Sequence, residues 1–177
     1  LDLGINTYLY NNGLSMPSAY NFLELDLVKS IGVNFLFFEN ELNLINNRLK
    51  LKHGLGLEYN NYRFTENYYL MPDTSFVTGI PEGTTFFKKN KLTTKFITVP
   101  LLLEFETREN KREHSFRVAA GGSVGYLLKS YTKQVYDING NKRKNKVYDE
   151  FNLEKLRYGV TGQIGYGNVN FFVNYTL

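Results

Sequence analysis

The chain has 177 residues, 42% of them hydrophobic and 21% charged, with a formal net charge of +4. That length and balance fit one domain and exclude a disordered or collagen-like chain. With no Cys there is no disulfide framework and no thiolate metal site, and with no run of about 18 apolar residues there is no transmembrane helix.

The 14 Tyr, 14 Phe and 15 Gly, set against 4 Pro and no Trp, favour strands that turn tightly and pack backbone against backbone. Lys and Arg are scattered over strands and loops instead of forming one basic face with interleaved aromatics, so no nucleic-acid partner is expected.

The hydrophobic period is two along most of the chain, which predicts strands. Leu1, Leu3, Ile5 and Leu9 alternate with Asp2, Gly4 and Asn6. The second strand sets Leu23, Leu25, Leu27, Ile31, Val33, Phe35 and Phe37 against Glu24, Asp26, Ser30, Gly32 and Asn34. In the third, Leu49, Leu51, Leu55, Leu57 and Tyr59 oppose Arg48, Lys50, Lys52, Gly54, Gly56 and Glu58. The fourth is the clearest: Ile97, Val99, Leu101, Leu103 and Phe105 on one face, Thr94, Thr98, Pro100, Glu104 and Glu106 on the other. The fifth places Phe116, Val118, Ala120, Val124, Tyr126 and Leu128 opposite Arg117, Ala119, Gly121, Ser123, Gly125 and Lys129. Leu156, Tyr158, Val160, Ile164 and Tyr166 mark the sixth, and Val169, Phe171, Val173, Tyr175 and Leu177 the seventh, with a tight turn at Gly167 and Asn168.

Seven strands in strict sequence, with no helix, leave connections of alternating length. Residues 10–22, 66–90 and 130–151 are long; 39–47, 107–114 and 167–168 are short. Transmembrane barrels are built this way, with short periplasmic turns and longer extracellular loops. Alternation alone does not say which face meets water, since a soluble barrel buries its apolar face and a membrane barrel exposes it. Three features favour the membrane: polar faces rich in Gly, Ala, Ser and Thr; balanced charge, with Glu24, Asp26, Glu58 and Glu104 available to Arg48, Lys50, Lys52, Arg117 and Arg157; and aromatics near strand ends.

Four stretches carry a resemblance: LDLGINTYL from Leu1 to Leu9, GLGLEYNNYRF from Gly54 to Phe64, the strand Leu92 to Phe105 ending in VPLLLEF, and RYGVTGQIGYGNVNFFVNY from Arg157 to Tyr175. They resemble the outer-membrane β-barrel domain common in Bacteroidota, the broad PorT-like and OmpA-like porin grouping. The resemblance implies an all-β, antiparallel, up-and-down barrel over residues 1–177 as one domain, in the bacterial outer membrane. It also implies an even strand number, so an eighth strand is expected beyond the seven present, either missing from this stretch or supplied by another chain. It brings no catalytic residues.

The residues themselves point to no enzyme, cofactor or metal, and they assign no ligand-binding residue. His53, on the apolar parity of its strand, and His114, in a short turn, are the only histidines and are not expected to share a metal or a Ser-His-Asp arrangement. Asp73, Ser75, Asp137 and Asp149 lie in predicted outer loops, where carboxylates are ordinarily solvated. Glu104 and Glu106 share a face two residues apart, but with Arg117 one strand away a structural ion pair outweighs an acid/base pair. Gly121, Gly122 and Gly125 precede no helix and therefore form no nucleotide loop. Lys142, Arg143, Lys144 and Lys146 read as a merely solvated loop tip in preference to a contact with lipopolysaccharide phosphates or a partner.

The leading functional expectation is a non-enzymatic structural or accessory subunit of a larger outer-membrane assembly. Its partners would be outer-membrane lipids, lipopolysaccharide and other outer-membrane proteins. The alternatives are a small-molecule or lipid conduit, and a soluble lipid-binding barrel. Three structural outcomes test the reading: the odd residues from Ile97 to Phe105 and the even ones from Phe116 to Leu128 face outwards; the long connections gather at one end and the short turns at the other; and residues 1–9 form no ladder with residues 168–177.

Overall fold

The computed structural model describes residues 1–10, 13, 16–46, 48–72, 77–108 and 114–177. In chain order the strands are β1 (Asp2–Ile5), β2 (Ile31–Ile45), β3 (Leu49–Arg63), β4 (Tyr68–Leu70), β5 (Gly79–Pro81), β6 (Phe87–Glu106), β7 (Phe116–Ile138), β8 (Asn141–Tyr148), β9 (Leu156–Tyr166) and β10 (Val169–Thr176). The main sheet runs β1-β2-β3-β6-β7-β9-β10, with β8 paired to β7; β4 and β5 form a separate hairpin. Seven strands therefore follow one another in space as they do in sequence, the antiparallel up-and-down order expected. β1 and β10 end that order, and among the described residues no ladder joins them.

The second strand differs from the sequence reading at both ends. Residues Ser18–Leu23 and Leu27–Lys29 form 3₁₀ helices. The Asp26 side chain accepts from the Lys29 amide at 3.3 Å and Ser30 Oγ donates to the Asp26 carbonyl at 2.8 Å, local bonds that draw this segment away from a strand. Leu23, Leu25, Leu27, Glu24 and Asp26 thus lie outside β2. At the other end β2 continues to Ile45, through most of what reads as a turn over 39–47. The alternation slips there: Phe37 and Phe38 are both exposed, their rings 5.6 Å apart edge to face, after which Glu39 and Glu41 reach Lys50 and Lys52 and the apolar Leu42 and Leu44 take the other parity. A one-residue slip of this kind is the mark of a β-bulge.

β6 begins at Phe87 and β7 runs on to Ile138, so the connections predicted at 66–90 and 130–151 are largely ordered. Asn139 and Gly140, with φ of 50° and 78°, turn β7 into β8. Asn-Gly is the dipeptide such a hairpin favours. Lys142, Arg143, Lys144 and Lys146 accordingly belong to a paired strand, not a loop tip, with Lys146 opposite Lys133 and Lys142 opposite Asp137.

Contacts divide the chain into two compact units: 1–34, 58–96 and 127–154 in one; 35–57, 97–126 and 155–177 in the other. The long connections fall in the first and the short turns in the second, as anticipated. In the second unit Val99, Leu101, Leu103, Phe105, Phe116, Val118, Val124 and Tyr126 are exposed, whereas Thr98, Leu102, Glu104, Glu106, Arg117 and Ala119 are buried. Each parity predicted to face outwards does so over these residues, apart from Ile97, which is half-buried.

The first unit holds an apolar core of Phe22, Phe64, Leu70, Leu92 and Phe151, with Leu25, Tyr62, Tyr68 and Val147 packed against it. Gly79 lies directly under the Phe22 ring, where a Cβ would stand 2.7 Å from a ring carbon. Each fully buried Phe or Leu contributes about 1.5–3 kcal/mol, which is what orders these connections.

At Gly121 a Cβ would meet the Leu101 carbonyl oxygen at 2.1 Å and the Leu102 Cα at 2.7 Å, both backbone atoms that cannot swing away. Gly162 has nothing within 4 Å of the same position. Gly121→Ala should therefore cost about 3 kcal/mol or more and Gly162→Ala under about 1 kcal/mol, read by urea unfolding of the detergent-folded chain. Equal stabilities would contradict the close approach of β6 and β7.

Candidate functional site

On the buried face of the second unit, three adjacent strands deliver six ionisable side chains to one place. β3 supplies Lys50 and Lys52, two apart and so on one face; β6 supplies Glu104 and Glu106 in the same way. Beyond the slip at Phe37 and Phe38, β2 turns Glu39 and Glu41 towards them. Lys52 Nζ lies 2.8 Å from Glu104 Oε2, 3.2 Å from Glu41 and 3.9 Å from Glu39. Lys50 Nζ lies 3.0 Å from Glu106 Oε2 and 3.5 Å from Glu41.

Gly54 makes this registration possible, because a Cβ there would stand 2.3 Å from the Phe38 carbonyl oxygen. Lys52, Glu104 and Glu106 are each under 10% exposed, so none could stay charged without a partner. The six groups carry four negative and two positive charges when ionised. Each lysine bridges carboxylates from both flanking strands, tying β2, β3 and β6 together below the backbone ladder.

A second polar cluster ties β7 to the β9–β10 hairpin. Arg117 Nη2 donates to the Gly167 carbonyl at 2.7 Å and to Asn170 Oδ1 at 2.9 Å. Gly165 leaves the room for this: a Cβ there would stand 2.1 Å from Asn170 Oδ1.

Glu104 and Glu106 are thus held in ion pairs, the structural role expected of them, but with Lys52 and Lys50 as cations at 2.8 and 3.0 Å where the sequence pointed to Arg117. A carboxylate clamped by an ammonium is a poor proton shuttle, and no His joins the group. Sequence reasoning missed Glu39 and Glu41 because it ended the strand at Phe37; the signal was present in the renewed alternation of Phe38, Leu42 and Leu44. It missed the pairing of Arg117 with Asn170 as well, since only register brings β7 beside that hairpin.

The remaining candidates are dispersed. His53 is half-buried in β3 and His114 exposed beside the turn before β7. Asp137 pairs with Lys88, and the Asp149 carbonyl accepts from Ser130 Oγ. Asp73 and Ser75 lie outside the described residues. Gly121, Gly122 and Gly125 are strand residues of β7, with no helix after them. In the first unit a hydrogen bond from Lys29 holds the Asp26 carboxyl below its ordinary range, and those from Thr84 do the same for Glu82. Among the described residues no three His, Cys, Asp or Glu side chains gather into a metal site.

A sheet whose buried face is ionic and whose exposed face is Val, Leu and Phe is inside out for water. A family model for the outer membrane protein beta-barrel domain matches residues 2–177. The chain belongs to that family. Searches among curated proteins and among solved structures gave no match. As an outer-membrane barrel domain the protein meets lipid with the exposed apolar residues that β6, β7, β9 and β10 carry in the second unit, so the soluble lipid-binding alternative falls. No helix among the described residues is long and apolar enough to cross a membrane, and strands do the crossing. The buried ionic face is then the barrel interior.

Replacing Lys52 by Met leaves Glu104 buried without its nearest cation, which should cost about 3–5 kcal/mol. Lys52→Met combined with Glu104→Gln should be less damaging than the sum of the single changes by about 1–3 kcal/mol. Urea unfolding of the four proteins measures this, and strict additivity would refute the pairing.

Proposed function

We propose that this protein is a non-enzymatic structural or accessory subunit of a larger outer-membrane assembly. The observation that carries the reading is the folded core of the first unit. Phe22, Phe64, Leu70, Leu92 and Phe151 order connections that a free-standing barrel has no need to order. On this ordered platform Phe86 and Ile80 are exposed, at 87% and 49%. Large apolar side chains on a rigid surface outside the lipid belt suit a protein partner. The clamped ion network supports the same reading, because charges paired across β2, β3 and β6 fill interior space that a conduit would leave open. The four stretches quoted above further support placing the chain in the PorT-like and OmpA-like grouping of Bacteroidota. Its other surroundings are outer-membrane lipid and lipopolysaccharide.

Purification of the full chain from native outer membranes in mild detergent should return one or more outer-membrane proteins in fixed ratio to it. Phe86→Ser with Ile80→Ser should reduce that ratio at least about tenfold, the loss of two buried apolar contacts. Liposomes containing the protein should not swell in sugar solutions. Monomeric protein with no partner, together with swelling, would replace this reading with the conduit.

A further inference from the structure

The exposed face of the first unit carries a concentration of positive charge that neither the ion network nor the apolar core uses. Along β6, Asn90, Leu92, Thr94 and Phe96 are buried on one face; half-buried Lys89 and Lys91 and exposed Lys95 share the other, with the buried Thr93 among them. On β3, Arg63 shares the parity of the exposed Leu57. These strand ends and the 3₁₀ helix Leu27–Lys29 enclose a concavity of about 380 Å³, lined by Lys29, Arg63, Lys89 and Lys91 with Asn61, Val28 and Ile31.

Its charge is poorly balanced from within. Asp26 takes up Lys29 at 2.6 Å. Among the described residues no carboxylate lies within ion-pair distance of Lys89 or Lys91, and Lys133 and Lys142 stand near enough to Lys89 to repel it. The geometry is built, not incidental. Lys91 donates to Asn61 Oδ1, which also accepts from the buried Thr93 hydroxyl at 3.2 Å. Arg63 is anchored on the Lys88 carbonyl. Tyr59, fixed by a 2.8 Å bond between its hydroxyl and that of Tyr131, lies beneath Lys95 at 5.4 Å. Beside the cations Val28 is 79% exposed and Ile31 44%.

Lysines without a carboxylate partner, next to exposed apolar side chains, match a ligand that is anionic at one end and apolar at the other. The concavity lies where β2 begins, β3 ends and β6 begins, among the long connections that in an outer-membrane barrel face the cell exterior. We propose that it seats the phosphate of a phosphorylated outer-leaflet lipid headgroup. Arg63, Lys89 and Lys91 are its ligands, and Val28 and Ile31 lie against the lipid's apolar part. The inference rests on the outer-membrane placement and not on the proposed assembly role. Arg63 supplies a planar fork to the phosphate oxygens, and the lysines supply point charges.

The test uses the full chain folded into phosphatidylcholine nanodiscs, with lipopolysaccharide added as the probe and retained lipid counted by native mass spectrometry. Heat-modifiable mobility in every disc reports folding separately, so failed insertion is read apart from failed binding. Wild-type protein should retain lipopolysaccharide. K89Q/K91Q should bind it about 30-fold more weakly, from roughly 1 kcal/mol per basic side chain at a membrane surface. K89R/K91R should bind as wild type does. Should the double variant not fold, K89Q alone carries the test, since among the described residues Lys89 makes no hydrogen bond; about a fivefold loss is expected. Equal binding by K89Q/K91Q and wild type would overturn the proposal. Inorganic phosphate binding as tightly as lipopolysaccharide would overturn the lipid assignment, and displacement only at far higher phosphate concentration would uphold it.

Discussion

Lipid offers a peptide group no hydrogen bond, and everything else in this structure follows from how the chain meets that constraint. Every backbone donor and acceptor in the membrane must find a partner in a neighbouring strand, so the chain is committed to long uninterrupted ladders. That between β7 and β9 runs from Phe116 opposite Tyr166 to Tyr126 opposite Leu156. Once the backbone is consumed in ladders, side chains alternate without choice, and half of them turn away from lipid. Polar groups collected there must satisfy one another. The pairing of Lys52 with Glu104 and of Lys50 with Glu106 is the result, a charge network forced inwards by the same solvent that forces the apolar residues outwards.

Strict alternation would not by itself bring the right charges together. The slip at Phe37 and Phe38 moves Glu39 and Glu41 to the ionic side while keeping Leu42 and Leu44 on the apolar one. Gly54 and Gly121 then remove side chains where adjacent backbones come closest, at the Phe38 carbonyl and at Leu101. Pro100, between them in β6, forfeits a ladder donor in the same region. These positions show where ladder geometry departs from regularity, and the departures coincide with the ion network and the β6–β7 approach.

The first unit answers a different solvent. Its connections are in water, where the apolar core of Phe22, Phe64, Leu70, Leu92 and Phe151 forms by ordinary burial. Side-chain amides substitute for missing ladder partners there. Asn67 Nδ2 donates to the carbonyls of Glu82 and Thr85 at 3.0 and 2.8 Å, and Asn90 Nδ2 donates to those of Glu66 and Tyr68. One chain therefore runs two folding rules, apolar outwards along the strands of the second unit and along β1, apolar inwards in the connections of the first unit. The cationic face carrying Lys89 and Lys91 and the exposed Phe86 and Ile80 both belong to the water-facing unit.

How legible this was depends on how many solvents each segment meets. Where one face meets lipid and the other the interior, as from Ile97 to Phe105 and from Phe116 to Leu128, the alternation is complete and establishes the strands, while the small and charge-balanced polar faces are what favoured turning the apolar face outwards. Glu104 and Glu106 could be read as structural for the same reason, since a buried carboxylate pair requires cations. Alternation loses its meaning where both faces meet water, which hid β8 behind its Lys and Asn residues despite the Asn-Gly turn. It also breaks where a bulge shifts parity, which hid Glu39 and Glu41. Which lysine clamps which glutamate, and that Arg117 reaches Asn170, belong to the tertiary structure alone, because inter-strand register depends on backbone fit at Gly54 and Gly121, between residues far apart in the chain, and on side-chain fit at Gly165.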